Sequence, residues 1–186
     1  MPEIGEPDFL IPPVRHDRTV HLAEADPVWP EWYAPEEDRI RTALGSRALA
    51  VEHVGSTSVP GLAAKPVIDI VLVVADSSDE AEYVPDLEGA GYVLQFREPG
   101  WHEHRFFIDH EPDVQVHVFS AGSQEVARML AFRDRLRTHS EDRDLYEGTK
   151  RELAAKRWTY VQDYAEAKSS VVEAILAMAQ TDQARH

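Results

Sequence analysis

The chain has 186 residues, 43% of them hydrophobic, with 19 basic against 34 acidic side chains and a formal net charge of -15. That length suits one domain with a sizeable core, and that charge repels a polyanion, which argues against non-specific nucleic-acid binding. There is no cysteine, which removes disulfides, thiolate metal sites and a cysteine nucleophile, and no apolar run nears the ~20 residues that a membrane helix needs.

Residues 1–20 are proline-rich and mixed in charge, and read as a loosely attached arm on a single domain over 21–186. The opening MPEIGEPDFLIPPVRHD has no basic segment followed by an apolar core, so no secretory leader is read and a cytoplasmic home is expected. PEEDRIRTALG predicts a helix with Pro35 in its first turn, Glu36, Glu37 and Asp38 at the positive end, and Gly45 at the exit. ALAVEHV (Ala48–Val54) alternates as a strand does. VIDIVLVV (Val67–Val74) is a second strand, apolar on both faces like one covered on both sides. DSSDEAEYVPDLEGAGY predicts a helix whose limits Pro85 disturbs. Three strands follow, YVLQFRE, HEHRFFID and DVQVHVFS, broken by Gly100 and by HEPD, which predicts a meander of hairpins. From Ser123 the chain turns helical, with Val126, Met129, Leu130 and Leu136 near helical spacing. A last helix carries Tyr160, Tyr164, Ala167, Val171 and Ile175. The sum is one α+β domain, a central mixed sheet flanked by helices, with helices gathered at the C-terminal end.

Along the second strand every side chain is apolar except Asp69. A carboxylate there loses hydration and needs donors or a cation in compensation. The plain alternative is that Asp69 only hydrogen-bonds the backbone of the loop. That loop, GSTSVPGLAAKP, opens with Gly55, free to adopt positive φ, followed by Ser56 and Thr57. Bared backbone N–H groups at such a turn form an anion nest. A P-loop is ruled out, because Gly55 and Gly61 are wrongly spaced and Lys65 is not next to Gly61; a nucleophile elbow is ruled out because position 59 is valine.

Other polar residues are candidates for the same cleft. Lys65 can set a point charge on a phosphate, or stay a solvated loop residue. His117 alternates with valines in DVQVHVFS and can be a general base, a metal ligand or a packed histidine. Arg105 can meet an anion or Asp69. Glu52 and His53 lie on opposite strand faces, so at most one enters a cleft. Arg133 and Arg137 are one helical turn apart and can meet a ligand or simply pair with acids; Tyr164, a turn before Lys168, reads as core. His102 and His104 share a strand face in HEH, a spacing that chelates transition metals in cupin barrels, but the downstream acid and the all-β pattern of such barrels are missing.

EHVGSTSVPGLAAKPVIDI resembles the signature of the GrpB family, and the likeness extends from DPVWPEWYAPEEDRIRTALG through VQVHVF, LAFRDRLRTH, KRELA and YAEAK, roughly Asp26 to Ala177. The family is similar in fold to the nucleotidyltransferase superfamily, and some relatives are fused to a dephospho-CoA kinase. The resemblance implies a Gly-Ser loop at Gly55 and Ser56 and a metal-binding acid at Asp69, with Mg2+ or Mn2+ as cofactor. On the enzyme reading of the cleft residues, Ser56, Thr57, Lys65 and Arg105 hold phosphate, Asp69 holds metal or orients the acceptor, and His117 assists proton transfer. The superfamily's second acid would fall two residues from Asp69, where Val67 and Val71 stand. Two functions therefore stay open: metal-assisted nucleotidyl transfer on a nucleotide or phosphorylated metabolite, and a non-catalytic nucleotide-binding or accessory module that lost that acid.

Overall fold

The computed structural model describes residues 7–13, 15–111 and 113–183. Six strands among them form one mixed sheet in the order β1-β5-β6-β7-β4-β3: β1 (Asp8–Phe9), β5 (Val93–Glu98), β6 (His104–His110), β7 (Asp113–Ser120), β4 (Ile68–Val74) and β3 (Ala50–Val54). The pair β4 and β7 is parallel, and every other pair is antiparallel. A second, two-stranded sheet joins β2 (Arg18–Thr19) to β8 (Arg157–Trp158). The helices are α1 (Trp29–Leu44), α2 (Val84–Gly89), α3 (Gln124–Thr138), α4 (Ser140–Ala154), α5 (Val161–Glu166) and α6 (Ser169–Gln183).

The apolar run of β4, interrupted only by Asp69, is explained by cover on both faces. Ile68, Ile70, Leu72 and Val74 meet Val114, Val116 and Val118 of β7 under α1 and α2, with Trp29, Ile40, Leu44 and Leu87 filling that core. Val71 and Val73 point the other way, into a smaller core with Val54, Phe119 and the α3 residues Val126, Met129 and Leu130. Asp69 lies on this second face by strand alternation and stays partly exposed. The long loop between β3 and β4 buries Val59 and Leu62 against Leu136, Tyr146, Val171 and Ile175 of α3, α4 and α6. Backbone bonds in both directions between Ala23 and Ala64 fasten the loop again.

The meander of β5, β6 and β7 is as the sequence predicts. Four expectations change. The expected loose arm is tied down where described, because β1 extends the main sheet, β2 pairs with β8, and Val20 is buried with Ala154 and Tyr164. α1 begins at Trp29 and carries Pro35 inside it; Pro30 serves the first turn, and burial of Trp29 anchors it. β3, expected beside β4 as an adjacent central strand, does pair with β4 but forms the sheet's edge. The single last helix is two, broken at Ala167 and Lys168.

Candidate functional site

The site begins at Gly55, where β3 ends. Its φ of 68 and ψ of -174 belong to a region reserved for glycine. A Cβ there would stand 2.2 Å from Asp69 Oδ2. Asp69 is the cross-strand partner of Val54, so the glycine lets the loop backbone pass directly over the carboxylate. A 3-10 turn, Ser56–Ser58, follows. Ser58 Oγ donates to Gly55 O at 2.7 Å, and Thr57 Oγ1 donates to Val67 O at 2.9 Å while contacting His53 Nε2 at 3.0 Å. The Thr57 hydroxyl is thus buried and committed inward, which removes it from the expected phosphate ligands. Burial pulls the His53 pKa down to about 4, and its neutral ring stacks on Tyr33 at 4.7 Å. His53 supports the loop from the far face of β3, while Glu52 pairs with Arg133 at 2.8 Å.

Ser56 remains half-exposed at the cleft. Lys150 Nζ of α4 donates to Ser56 Oγ at 3.0 Å and to Ala63 O. Lys150 is only 1% exposed. Burial, and next the Lys168 ammonium, bring its pKa down to about 7. Tyr146, one turn before it on α4, hydrogen-bonds Ser56, and burial raises its phenol to about 12. Lys168, at the break before α6, sits over the Tyr164 ring at 4.6 Å. Burial lowers its pKa, and the Asp69 carboxylate opposes that shift. Lys65 behaves alike: burial lowers it, Asp69 raises it, and Lys168 lowers it again. Lys65, Lys150 and Lys168 therefore share one electrostatic neighbourhood with Asp69 and Ser56. Sequence reasoning named Lys65 and missed Lys150 and Tyr146. A signal was present, because the chain has only four lysines among its 19 basic residues, and three of them lie within electrostatic reach of one another or of Asp69 here.

His117 stands on the Asp69 side of β7, with Nε2 3.9 Å from Asp69 Oδ1. Its Nδ1 is 3.1 Å from His104 Nε2, and His104 Nδ1 is 2.7 Å from Glu98 Oε2. His104 is packed among aromatic rings, stacked on Phe119 at 4.8 Å and edge-on to Trp101 at 5.2 Å. Burial takes its pKa down to about 4, and the Glu98 bond only partly offsets this. His102 does not share that strand face. It falls in the turn before β6 with φ 55, so the HEH chelate does not form. Arg105 also leaves the site. It lies opposite Val118, on the α1 and α2 face of the sheet, bonded to Glu80 at 2.6 Å and to Glu103. Strand alternation sends Arg105 and its neighbour His104 to opposite faces. The α3 arginines anchor the loop, with Arg137 donating twice to Ser58 O at 3.0 and 2.8 Å.

The family model described as "GrpB protein" matches residues 19–178. The chain belongs to the GrpB family. It is similar to a UPF0157 protein of Halalkalibacterium halodurans, 56% identical over 164 residues, which are 88% of this chain and 84% of that one. A UPF0157 protein of Streptomyces coelicolor is 47% identical over 95% of this chain and 88% of its own. Among solved structures, conserved protein GrpB from Enterococcus faecalis superposes with a TM-score of 0.77 at 30% identity, over 88% of this chain and 99% of that one. A dephospho-CoA kinase of Mycolicibacterium paratuberculosis is 46% identical over 76 residues, 39% of this chain and 19% of the kinase. No helix among the described residues is long and apolar enough to cross a membrane.

The GrpB site does not fit the two-ion arrangement that the nucleotidyltransferase likeness implies. Mg2+ and Mn2+ take oxygen ligands, waters and substrate phosphates among them, but a pair of such ions is held by more than one carboxylate. Asp69 brings one carboxylate, its neighbours two residues away are Val67 and Val71, and its electrostatic surroundings are lysines and imidazole. Among the described residues no three His, Cys, Asp or Glu side chains gather as a metal cage.

Proposed function

We propose that this GrpB-family chain binds a phosphorylated small molecule, a nucleotide or another phosphometabolite, with a phosphate against Ser56, Lys65, Lys150 and Lys168. One observation carries the reading: Lys150 is buried against the Ser56 hydroxyl of the Gly-Ser loop, and Lys65 and Lys168 lie within electrostatic reach of the Asp69 carboxylate beside it, in a chain of net charge -15. Burying ammonium groups together costs free energy unless an anion compensates, and Asp69 supplies a single negative charge. A phosphate restores the balance, and lysine meets it as a compact point charge.

Asp69 and His117 beside this cluster favour chemistry at an acceptor hydroxyl, with nucleotidyl or phosphoryl transfer as the reaction class. A second reading, a non-catalytic accessory module, is favoured by the valines at 67 and 71 and by the local similarity to a protein named dephospho-CoA kinase. Titration calorimetry with inorganic pyrophosphate, ATP and a set of phosphometabolites, in chelator and then in Mg2+, tests the binding. Lys150→Met and Lys65→Met should each weaken it about tenfold, or ~1.4 kcal/mol, while circular dichroism stays that of the wild type. Binding at neutral pH should also take up protons, because an anion raises the depressed lysine pKa values. Wild type that ignores every phosphate compound at millimolar concentration sinks the reading. Phosphate or pyrophosphate release by wild type but not by Asp69→Asn separates enzyme from module.

A further inference from the structure

We infer that His117 is the general base of this site, and that His104 and Glu98 are positioning residues that turn its bare Nε2 toward Asp69 to receive the proton of an acceptor hydroxyl, an alcohol or water. The inference deepens the phosphate-binding reading and rests on it. It follows from a chain of hydrogen bonds in which each partner dictates the next. A carboxylate only accepts. Glu98 Oε2 is 2.7 Å from His104 Nδ1, so that nitrogen carries the proton. His104 is 2% exposed and surrounded by the rings of Phe96, Trp101, Phe106 and Phe119, where an imidazolium is poorly solvated. A neutral ring has one N–H, so with Nδ1 protonated its Nε2 must accept. The neighbour at 3.1 Å is His117 Nδ1, which therefore donates. Neutral His117 is left with a lone pair on Nε2.

That lone pair stands 3.9 Å from Asp69 Oδ1. While His117 is neutral, two acceptors face one another beyond hydrogen-bond distance. A hydroxyl that reaches both satisfies the pair. Its O–H proton passes to His117 Nε2, and the resulting imidazolium directs its new N–H at the Asp69 carboxylate, which stabilises it. The hydroxyl oxygen forms a bond to the phosphorus held by the lysines. The bond from phosphorus to the leaving oxygen breaks, and its electron pair departs on that oxygen, opposite the lysine charge. Histidine reaches its partners through fixed nitrogens, so the relay acts through the tautomer it enforces.

Long-range proton–nitrogen spectra of the full chain labelled with 15N-histidine report each ring's tautomer, with His117→Gln and His104→Gln giving the assignments. Wild type at neutral pH should hold both rings as Nδ1–H. Glu98→Leu removes the acceptor and should give His117 a substantial Nε2–H population, whereas Glu98→Gln, whose amide oxygen still accepts, should keep the wild-type pattern. Diethyl pyrocarbonate attacks a bare imidazole nitrogen, and peptide mass spectrometry should find His117 modified faster in wild type and Glu98→Gln than in Glu98→Leu. Wild-type His117 found as Nε2–H overturns the inference whatever the variants do; so does Glu98→Leu, if folded, with the tautomer and the modification rate unchanged. Inorganic pyrophosphate titrated into the same proteins separates the two claims. Affinity should survive Glu98→Leu; a wild type with the expected tautomers that binds no pyrophosphate overturns the phosphate reading and with it the general-base step, leaving only the tautomer relay.

Discussion

Gly55 meets two constraints at one atom. Its backbone conformation is one that L residues avoid, and the space a Cβ would need is filled by the Asp69 carboxylate, with Cγ at 2.8 Å and Cβ at 2.9 Å as well. The obstruction reaches the root of the side chain, so rotation of the carboxylate does not relieve it. Gly61 separates the two effects. Its φ is also positive, at 79, but nothing lies within 4 Å of its missing Cβ. Gly61→Ala should therefore cost about 1–2 kcal/mol, the backbone penalty alone. Gly55→Ala should cost roughly 1–3 kcal/mol from its backbone region, with a further loss from the clash. Urea unfolding of the two variants checks the order, and equal losses would mean that Asp69 moves aside freely. Gly55→Ala should also weaken pyrophosphate binding, because Asp69 and Ser56 must shift; Gly61→Ala should not.

Helix α3 does two jobs for the site. Its apolar side covers Val71, Val73 and Phe119 of the sheet, and its C-terminal half pins the β3–β4 loop. Arg133 reaches Glu52 and the His53 carbonyl, and Arg137 forks onto the Ser58 carbonyl. Removing the fork leaves that carbonyl unpaired. Arg137→Leu should lower stability by roughly 1–2 kcal/mol, within the range for charged hydrogen bonds but reduced by the partial solvation of the guanidinium. Amide exchange across 55–60 should speed up relative to the central strand β4, as expected of a loosened local unit. Unchanged exchange in that segment would show that the apolar anchors Val59 and Leu62 hold the loop by themselves. The break between α5 and α6 is the other element-level device, since it brings Lys168 beside the Asp69 cluster where an unbroken helix would continue past it.

Across the whole molecule, buried bases make stability depend on pH in one direction. Lys150 has a folded pKa of about 7 against an ordinary 10.5. Between those values the unfolded chain binds a proton that the native state lacks, so stability rises with pH at up to ~1.4 kcal/mol per unit. Lys65 and Lys168 are displaced in the same sense and add to the slope. Urea unfolding of wild type should thus strengthen from pH 7 to about 9, and Lys150→Met should show a flatter profile. At the acid side His53 and His104 have folded values of about 4 against 6.5. Both are neutral in the native state, so stability is lost as pH falls through that interval. His53→Gln should make this acid limb shallower by up to ~1.4 kcal/mol per unit. A variant with the wild-type slope would show that His53 titrates normally in the folded protein.

The elements were legible where local pattern decides them. The apolar run around Asp69, the turns of the β5–β7 meander and the glycine that opens the loop each carry their own signal, because period, proline and glycine act over a few residues. Asp69 and His117 were readable as candidates for one cleft, but the parallel pairing of β4 and β7 is what puts them on the same face. What only the tertiary structure decided concerns contacts between distant segments. Lys150 meets Ser56 across 94 positions of chain, and no local pattern marks it out from a solvated helix lysine. Thr57 and Arg105 have the right chemistry for phosphate, yet the fold commits them to Val67 and Glu80. The His104–Glu98 pair behind His117 exists because an antiparallel turn sets those residues opposite one another. The sequence determines which side chains are present and which face of its strand each takes; the packing of α3, α4 and α6 against one loop determines which of them share a cleft.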